Sequence, residues 1–271
     1  MATIIDQVTL RTGVADWLNR SDLTDAQIDD FVAIGEARIY EDLRVPTLEI
    51  SQGFSVTATN SSIIVPQGFL EMIELKLDGG TDKDKDVVLS RVDSKVFNNN
   101  KMSYAYTRHI GNFLLTNNVG EQNAGGTYVM QYYKAEDPIG TYSTTATVVT
   151  ALILGSYYKI ASLGNTSQSQ WNTAAGTSGV TYAVGTIFKV SAVGVGTGTA
   201  YVEKIPYILS DVFEIILYAA CATAAIYLGD VEMEQKFDLL TTRKIDMLNQ
   251  KEIRASMKGA SFSSQFSSPL L

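Results

Sequence analysis

The apolar pattern of this chain changes period twice, from helical to strand-like and back, and no single element type satisfies both periods. Near the N-terminus Ile28, Phe31, Val32, Gly35 and Ile39 fall at i, i+3, i+4, i+7 and i+11, one face of a helix. From Val45 to about Ala135 apolar residues alternate with polar ones. Phe54 and Val56, then Ile63 and Val65, flank a turn at 58–62, and Asn/Gly turns recur between later runs. After Pro206 the helical spacing returns. The predicted fold class is α+β: a helical bundle made from the N- and C-terminal segments, a mainly antiparallel β-region between them, and an inserted small β-domain.

Local signals place the helix ends. A first helix is expected over 3–19, with Thr3 and Asp6 approximating a capping box, although Gly13 weakens it by about 1 kcal/mol. A second begins at the T-x-x-Q box of Thr24 and Gln27 and stops before Pro46. Ser210 is the expected N-cap of a third, with Asp211 and Glu214 in its first turn and Gly229 past its end. Asp230 caps a fourth, amphipathic helix running to about Lys258.

Between the helical ends, strands are predicted at 69–77, around Val87 and Leu89, and at three places marked by Tyr104 and Tyr106, Phe113 and Leu115, and Tyr128, Met130 and Tyr132. Residues 137–203 differ in composition. They are rich in Thr, Ser, Gly and Ala, almost free of charge, and carry strand-like runs at 157–159, 183–193 and 199–202. Large residues such as Tyr158, Trp171, Ile187 and Phe188 argue for a compact module and against a linker. The expected organisation is helical over 1–44, β over 45–136, an inserted small β-domain over 137–203, helical over 204–258, and a flexible tail over 259–271.

Several function classes are disfavoured. The balance of 21 Lys+Arg against 29 Asp+Glu gives a net charge of −8, and the basic residues are scattered. Phosphate affinity comes from clustered Lys and Arg, so specific nucleic-acid binding is not expected. Cys221 is the single cysteine, which excludes an intrachain disulfide and suits synthesis in a reducing cytoplasm. The first seven residues carry no basic and apolar leader pattern, so no signal peptide is expected. The longest uncharged apolar run, 215–228, is shorter than the roughly 20 residues that span a bilayer, and is expected to be a buried helix.

No catalytic, cofactor or metal residues stand out. Cys221 lies in the most apolar stretch, which makes a buried structural thiol the simpler reading, and His109, the one histidine, reads as a surface or turn residue. No G-x-S-x-G elbow is present. Glu71 and Glu74 could pair as glycosidase carboxylates, yet no spacing singles out an acid. Asp82, Asp84 and Asp86 form D-x-D-x-D, but Val87 stands where a calcium loop needs Gly and Asp93 where it needs Glu. The cluster Gly194-Val195-Gly196-Thr197-Gly198 lacks the Lys-Ser/Thr of a phosphate loop and reads as tight turns. Tyr157, Tyr158, Trp171 and Tyr182 could form a platform for sugars or the core of the inserted module. Core is the favoured reading, because little else there is large and apolar.

Three stretches carry a resemblance. The first is Ala15-Asp16-Trp17-Leu18-Asn19-Arg20-Ser21-Asp22-Leu23, leading into Phe31-Val32-Ala33-Ile34-Gly35-Glu36-Ala37-Arg38-Ile39 and Asp42-Leu43-Arg44. The second is Val65-Pro66-Gln67-Gly68-Phe69-Leu70-Glu71-Met72, continuing into Leu75-Lys76-Leu77-Asp78-Gly79. The third runs from Leu217-Tyr218-Ala219-Ala220 through Ala224-Ala225-Ile226-Tyr227-Leu228-Gly229-Asp230. Together they resemble the head-to-tail adaptor (connector) family of tailed bacteriophages, most like those of short-tailed phages. The likeness covers about 1–136 and 204–258. Val65 and Gln67-Gly68 depart from the commoner residues, and 137–203 is extra to the basic pattern.

The resemblance implies a non-enzymatic structural protein of the virion neck, made in the host bacterial cytoplasm. It implies a dodecameric ring between the portal protein and the tail nozzle or tail tube, through which DNA passes without specific binding, and no membrane partner. The aromatic anchors of the polar tail, Phe262 and Phe266 with Pro269, Leu270 and Leu271, are expected to order on docking to the portal. Two other readings remain: a capsid- or tail-decorating, glycan-binding module acting through 137–203, and a phage-encoded hydrolase.

Overall fold

The computed structural model describes residues 4–57, 62–79, 86–99, 104–116 and 126–257. The chain forms two compact units, Met1–Ile39 with Asp137–Ile245, and Tyr40–Glu136 with Asp246–Leu271. The fold is α+β, as the alternation of periods requires, with helices at both ends of the chain and antiparallel sheets between.

In the first unit α1 (Gln7–Leu18) starts later than the sequence suggests. Asp6 is its N-cap: the carboxylate accepts from Thr9 N at 2.8 Å while Thr9 Oγ1 accepts from Asp6 N at 3.1 Å. Thr3, the other half of the expected box, lies outside the described residues. The box at α2 (Asp25–Asp42) forms as read, with Gln27 N donating to Thr24 Oγ1 at 3.3 Å and Thr24 N to Gln27 Oε1 at 2.9 Å.

Ser210 is not a cap. Pro206 starts a short helix, α5 (Tyr207–Ser210), and the longer α6 (Phe213–Leu228) follows a break at Val212. Gly229 ends α6 at φ 72°, and Asp230 accepts from Met233 N at the start of α7 (Val231–Met257). Ile215, Ile216, Leu217 and the run from Ala219 to Ala222 are buried on α6. Its small residues let α2 come close: a Cβ added at Gly35 would lie 3.1 Å from Ala219 and from the Ala220 backbone. Trp17 meets Tyr218 edge-on at 5.4 Å, and Tyr218 stacks on Phe237 of α7.

The same unit holds a small β-module. Strands β9 (Thr147–Val148), β10 (Tyr157–Ser162), β11 (Ile187–Lys189) and β12 (Thr199–Val202) form an antiparallel sheet in the order β11-β10-β12-β9. The strand read at 183–193 shrinks to three residues, because the chain turns at Gly185, φ 90°, and leaves the sheet after Lys189. A helix, α4 (Gln168–Ala175), was not anticipated. Ser167 and Gln170 cap it reciprocally and Gly176 ends it in the left-handed region. Trp171 of α4 packs with Tyr158, Ile160, Phe188 and Ala200 from one face of the sheet.

In the second unit β1 (Glu49–Val56), β3 (Phe69–Leu77), β4 (Val87–Val88) and β8 (Gly126–Lys134) form a sheet in the order β1-β8-β3-β4. A second sheet has the order β2-β7-β6-β5, from β2 (Ser62–Ile64), β5 (Ser90–Arg91), β6 (Ala105–His109) and β7 (Asn112–Thr116). All pairings are antiparallel except β5 with β6. The alternating residues read as strands, among them Ile63, Leu75, Tyr106, Phe113, Tyr128, Met130 and Tyr132, are buried in one cluster. A short helix, α3 (Ser94–Asn99), was also unanticipated; Asp93 starts it by accepting from Lys95 N at 2.8 Å.

Candidate functional site

Among the described residues, those that could carry chemistry are dispersed. Cys221 is fully buried in α6, and burial pushes its thiol up to about 12, so at neutral pH it is no nucleophile. His109 is exposed at the end of β6, at the hairpin with β7. On β3, Glu71 is held by Arg44 at 2.8 Å. Asp82 and Asp84 lie outside the described residues, whereas Asp86 accepts from Lys76 Nζ at 2.8 Å and Gly79 N at 2.9 Å. Among the described residues no group of His, Cys, Asp and Glu is placed to hold a metal. Gly198 lies against Trp171, where an added Cβ would be 2.5 Å from the indole, so this glycine serves packing. Phe262, Phe266, Pro269, Leu270 and Leu271 lie outside the described residues.

The four aromatic residues of the possible sugar platform divide between the two faces of the module sheet. Tyr158, Trp171 and Tyr182 are buried around Phe188. Tyr157, one position out of phase with Tyr158, points to the outer face and is half-buried. That outer face also carries Lys159 and Tyr201, which are cross-strand partners, and Ile187 and Lys189, which pair with Lys159 and Tyr157. Lys189 Nζ sits 5.5 Å from the centre of the Tyr157 ring, and Lys159 Nζ 5.8 Å from that of Tyr142. Cation–π contact holds both ammonium groups along the face. Sequence reading missed Lys159, Lys189, Tyr142 and Tyr201 here. Their signal was the period-two pairs Tyr157/Lys159 and Ile187/Lys189 in a segment with almost no other charge.

A polar junction ties this module to the helices. Glu203 is 6% exposed, pairs with Tyr142 in a β-bridge, and accepts from Gln7 N at 3.0 Å. Burial raises its pKa, a shift that the Gln7 bond opposes. Burial, then the neighbouring Glu203, pushes the Tyr142 hydroxyl up to about 12. Arg11 binds Asp29 through Nε at 2.7 Å and reaches Asp25 at 3.3 Å, while Gln7 Nε2 donates to the same Asp29 at 3.0 Å. Buried Glu36 on α2 accepts from Ile139 N at 3.0 Å, and Lys204 pairs with Asp137 at 2.5 Å. Beside this junction Ile5, Asp6, Gly155, Tyr157, Glu203 and Ile205 line a cleft of about 150 Å³. That is room for a few waters. The arrangement positions a module against the helices.

The family model described as SU10 adaptor protein matches residues 8–177, more than half of the chain. It begins in α1, runs through the second unit's strands, and ends just after α4. It therefore enters the segment 137–203, expected to be extra to the family's basic pattern, and stops short of 204–258. No curated protein matches the chain.

Proposed function

This chain belongs to the SU10 adaptor protein family, a structural family of bacteriophage adaptors, and from that membership we propose that it is the non-catalytic ring adaptor joining portal to tail in the virion neck. The observation that carries the proposal is the family match over 8–177. The fold supports it in kind. A bundle of α1, α2, α6 and α7 gives the subunit a packed body, and Ile34, Ile226, Tyr227, Val231 and Leu239 remain exposed on it. Exposed apolar groups on a rigid body suit side-by-side packing, and a heterologous contact whose rotation closes makes a ring.

In this reading copies of the chain assemble as a dodecameric ring on the portal protein and receive the tail nozzle or tube on the opposite side. DNA passes along an acidic wall that does not retain a polyanion. The C-terminal residues Phe262, Phe266, Pro269, Leu270 and Leu271 dock on the portal. No helix among the described residues is long and apolar enough to cross a membrane. Electron microscopy of the protein mixed with its portal tests the reading. Rings of twelve seated on the portal are expected; portal particles that stay bare at saturating protein overturn it. Truncation after Gly259 should leave the circular dichroism spectrum and melting unchanged while abolishing portal binding.

A further inference from the structure

Between Pro138 and Val202 the chain carries two charged residues, Lys159 and Lys189, and no acid, so the rest of the chain holds the whole acidic excess. Both lysines are exposed on the outer face of the module sheet, and neither makes an ion pair among the described residues. Between and beside them lie Ile187, Tyr157, Tyr201 and Val148, the last paired with Thr199 on the same side of the sheet. This is an apolar and aromatic strip with two fixed positive charges.

The opposite chemistry occurs at the corner where α6 meets α7. Ile226, Tyr227 and Val231 are 63%, 61% and 60% exposed, three large side chains within six residues of chain. Glu232 and Glu234 flank them in the first turn of α7, and neither is in an ion pair among the described residues. Exposed apolar groups at this density mark a contact surface. The acids beside them select against a like-charged partner and for a cationic one.

We propose that the outer face of the module sheet of one copy docks on the α6–α7 corner of a second copy, with Lys159 and Lys189 meeting Glu232 and Glu234. The two patches differ, so the contact is heterologous and propagates from copy to copy. A closing ring needs this geometry and a two-fold dimer does not. The inference rests on the ring reading and names the surfaces that make the ring.

Charge exchange in the full chain tests it, with assembly followed by sedimentation velocity over a concentration series, alone and with portal. K159E/K189E and E232K/E234K should each stay folded by circular dichroism and need about tenfold more protein to assemble. Mixing the two variants should restore assembly, because in an alternating ring every contact again joins opposite charges. The quadruple variant should assemble by itself for the same reason. If K159E/K189E assembles at the wild-type concentration, or the mixture fails to recover, these surfaces are wrong and the ring reading stands. If the wild-type chain stays monomeric under both conditions, the ring reading falls and takes this inference with it.

Discussion

Cys221 shows how burial alone turns a reactive group into a structural one. Its thiol is raised from 9.0 to about 12 by desolvation. In the unfolded chain it ionises near 9, whereas the folded state keeps its proton until about 12, so over that window the unfolded state binds fewer protons and stability falls as pH rises. The loss reaches about 4 kcal/mol at the upper end. C221A should be less stable at pH 7 by about 1 kcal/mol, from lost packing. It should also lose less stability than wild type between pH 9 and 11 in urea titrations, and equal slopes would refute the assignment. Glu203 has the same sign in the acid range. Its raised pKa means the fold favours the protonated form, and stability is lost as pH climbs through the carboxylate range. E203Q keeps an oxygen for Gln7 N and should raise the melting temperature at pH 7, with the gain vanishing near pH 4. Trp171 is fully buried and its Nε1 has no hydrogen-bond partner among the described residues. W171F removes that unpaired donor and should cost far less than W171A, for which about 3–5 kcal/mol is expected.

Among the elements, legibility followed the strength of the local signal. The box at Thr24 and Gln27, the apolar strand β3 and the apolar run of α6 were readable because burial and capping act through residues close in sequence. The short helix α4 carried an equally local sign, Ser167 with Gln170 and then Gly176, and was overlooked because its charge-poor, Thr-rich surroundings resemble strands. S167A should cost about 1 kcal/mol and lower the melting temperature, whereas S167D should not. The start of α6 was misread because Pro206 begins a separate short helix and the chain breaks at Val212, whose side chain makes no capping hydrogen bond that the sequence could signal. Gly35 was readable as a position on the apolar face of α2, but the reason for its size was not. Only the fold shows the backbone of α6 lying against it. G35L should destabilise by about 2 kcal/mol through overpacking, seen as a lower urea midpoint. Of the candidate site, Tyr157 alone was legible. The lysines became meaningful when strand pairing put Lys159 beside Ile187 and Lys189 beside Tyr157.

At the scale of the whole molecule, copies that carry a charge of −8 repel one another while the proposed docking surfaces attract. The two forces respond differently to salt. The net repulsion acts between exposed charges over tens of ångströms and is screened once the Debye length falls to about 10 Å, near 0.1 M. Contacts between lysine and glutamate in a partly desolvated interface are screened less and at higher salt. Assembly measured by sedimentation velocity should therefore strengthen as salt rises from low values toward about 0.1 M and weaken beyond it. The apolar strip keeps the second effect partial. In the K159E/K189E variant the module no longer attracts the α6–α7 corner, and added salt relieves repulsion alone. Its assembly should then rise steadily with salt, without a maximum. A wild-type chain whose assembly also rises without a maximum would mean that the lysines contribute nothing to the contact, and that the corner is covered by some other surface.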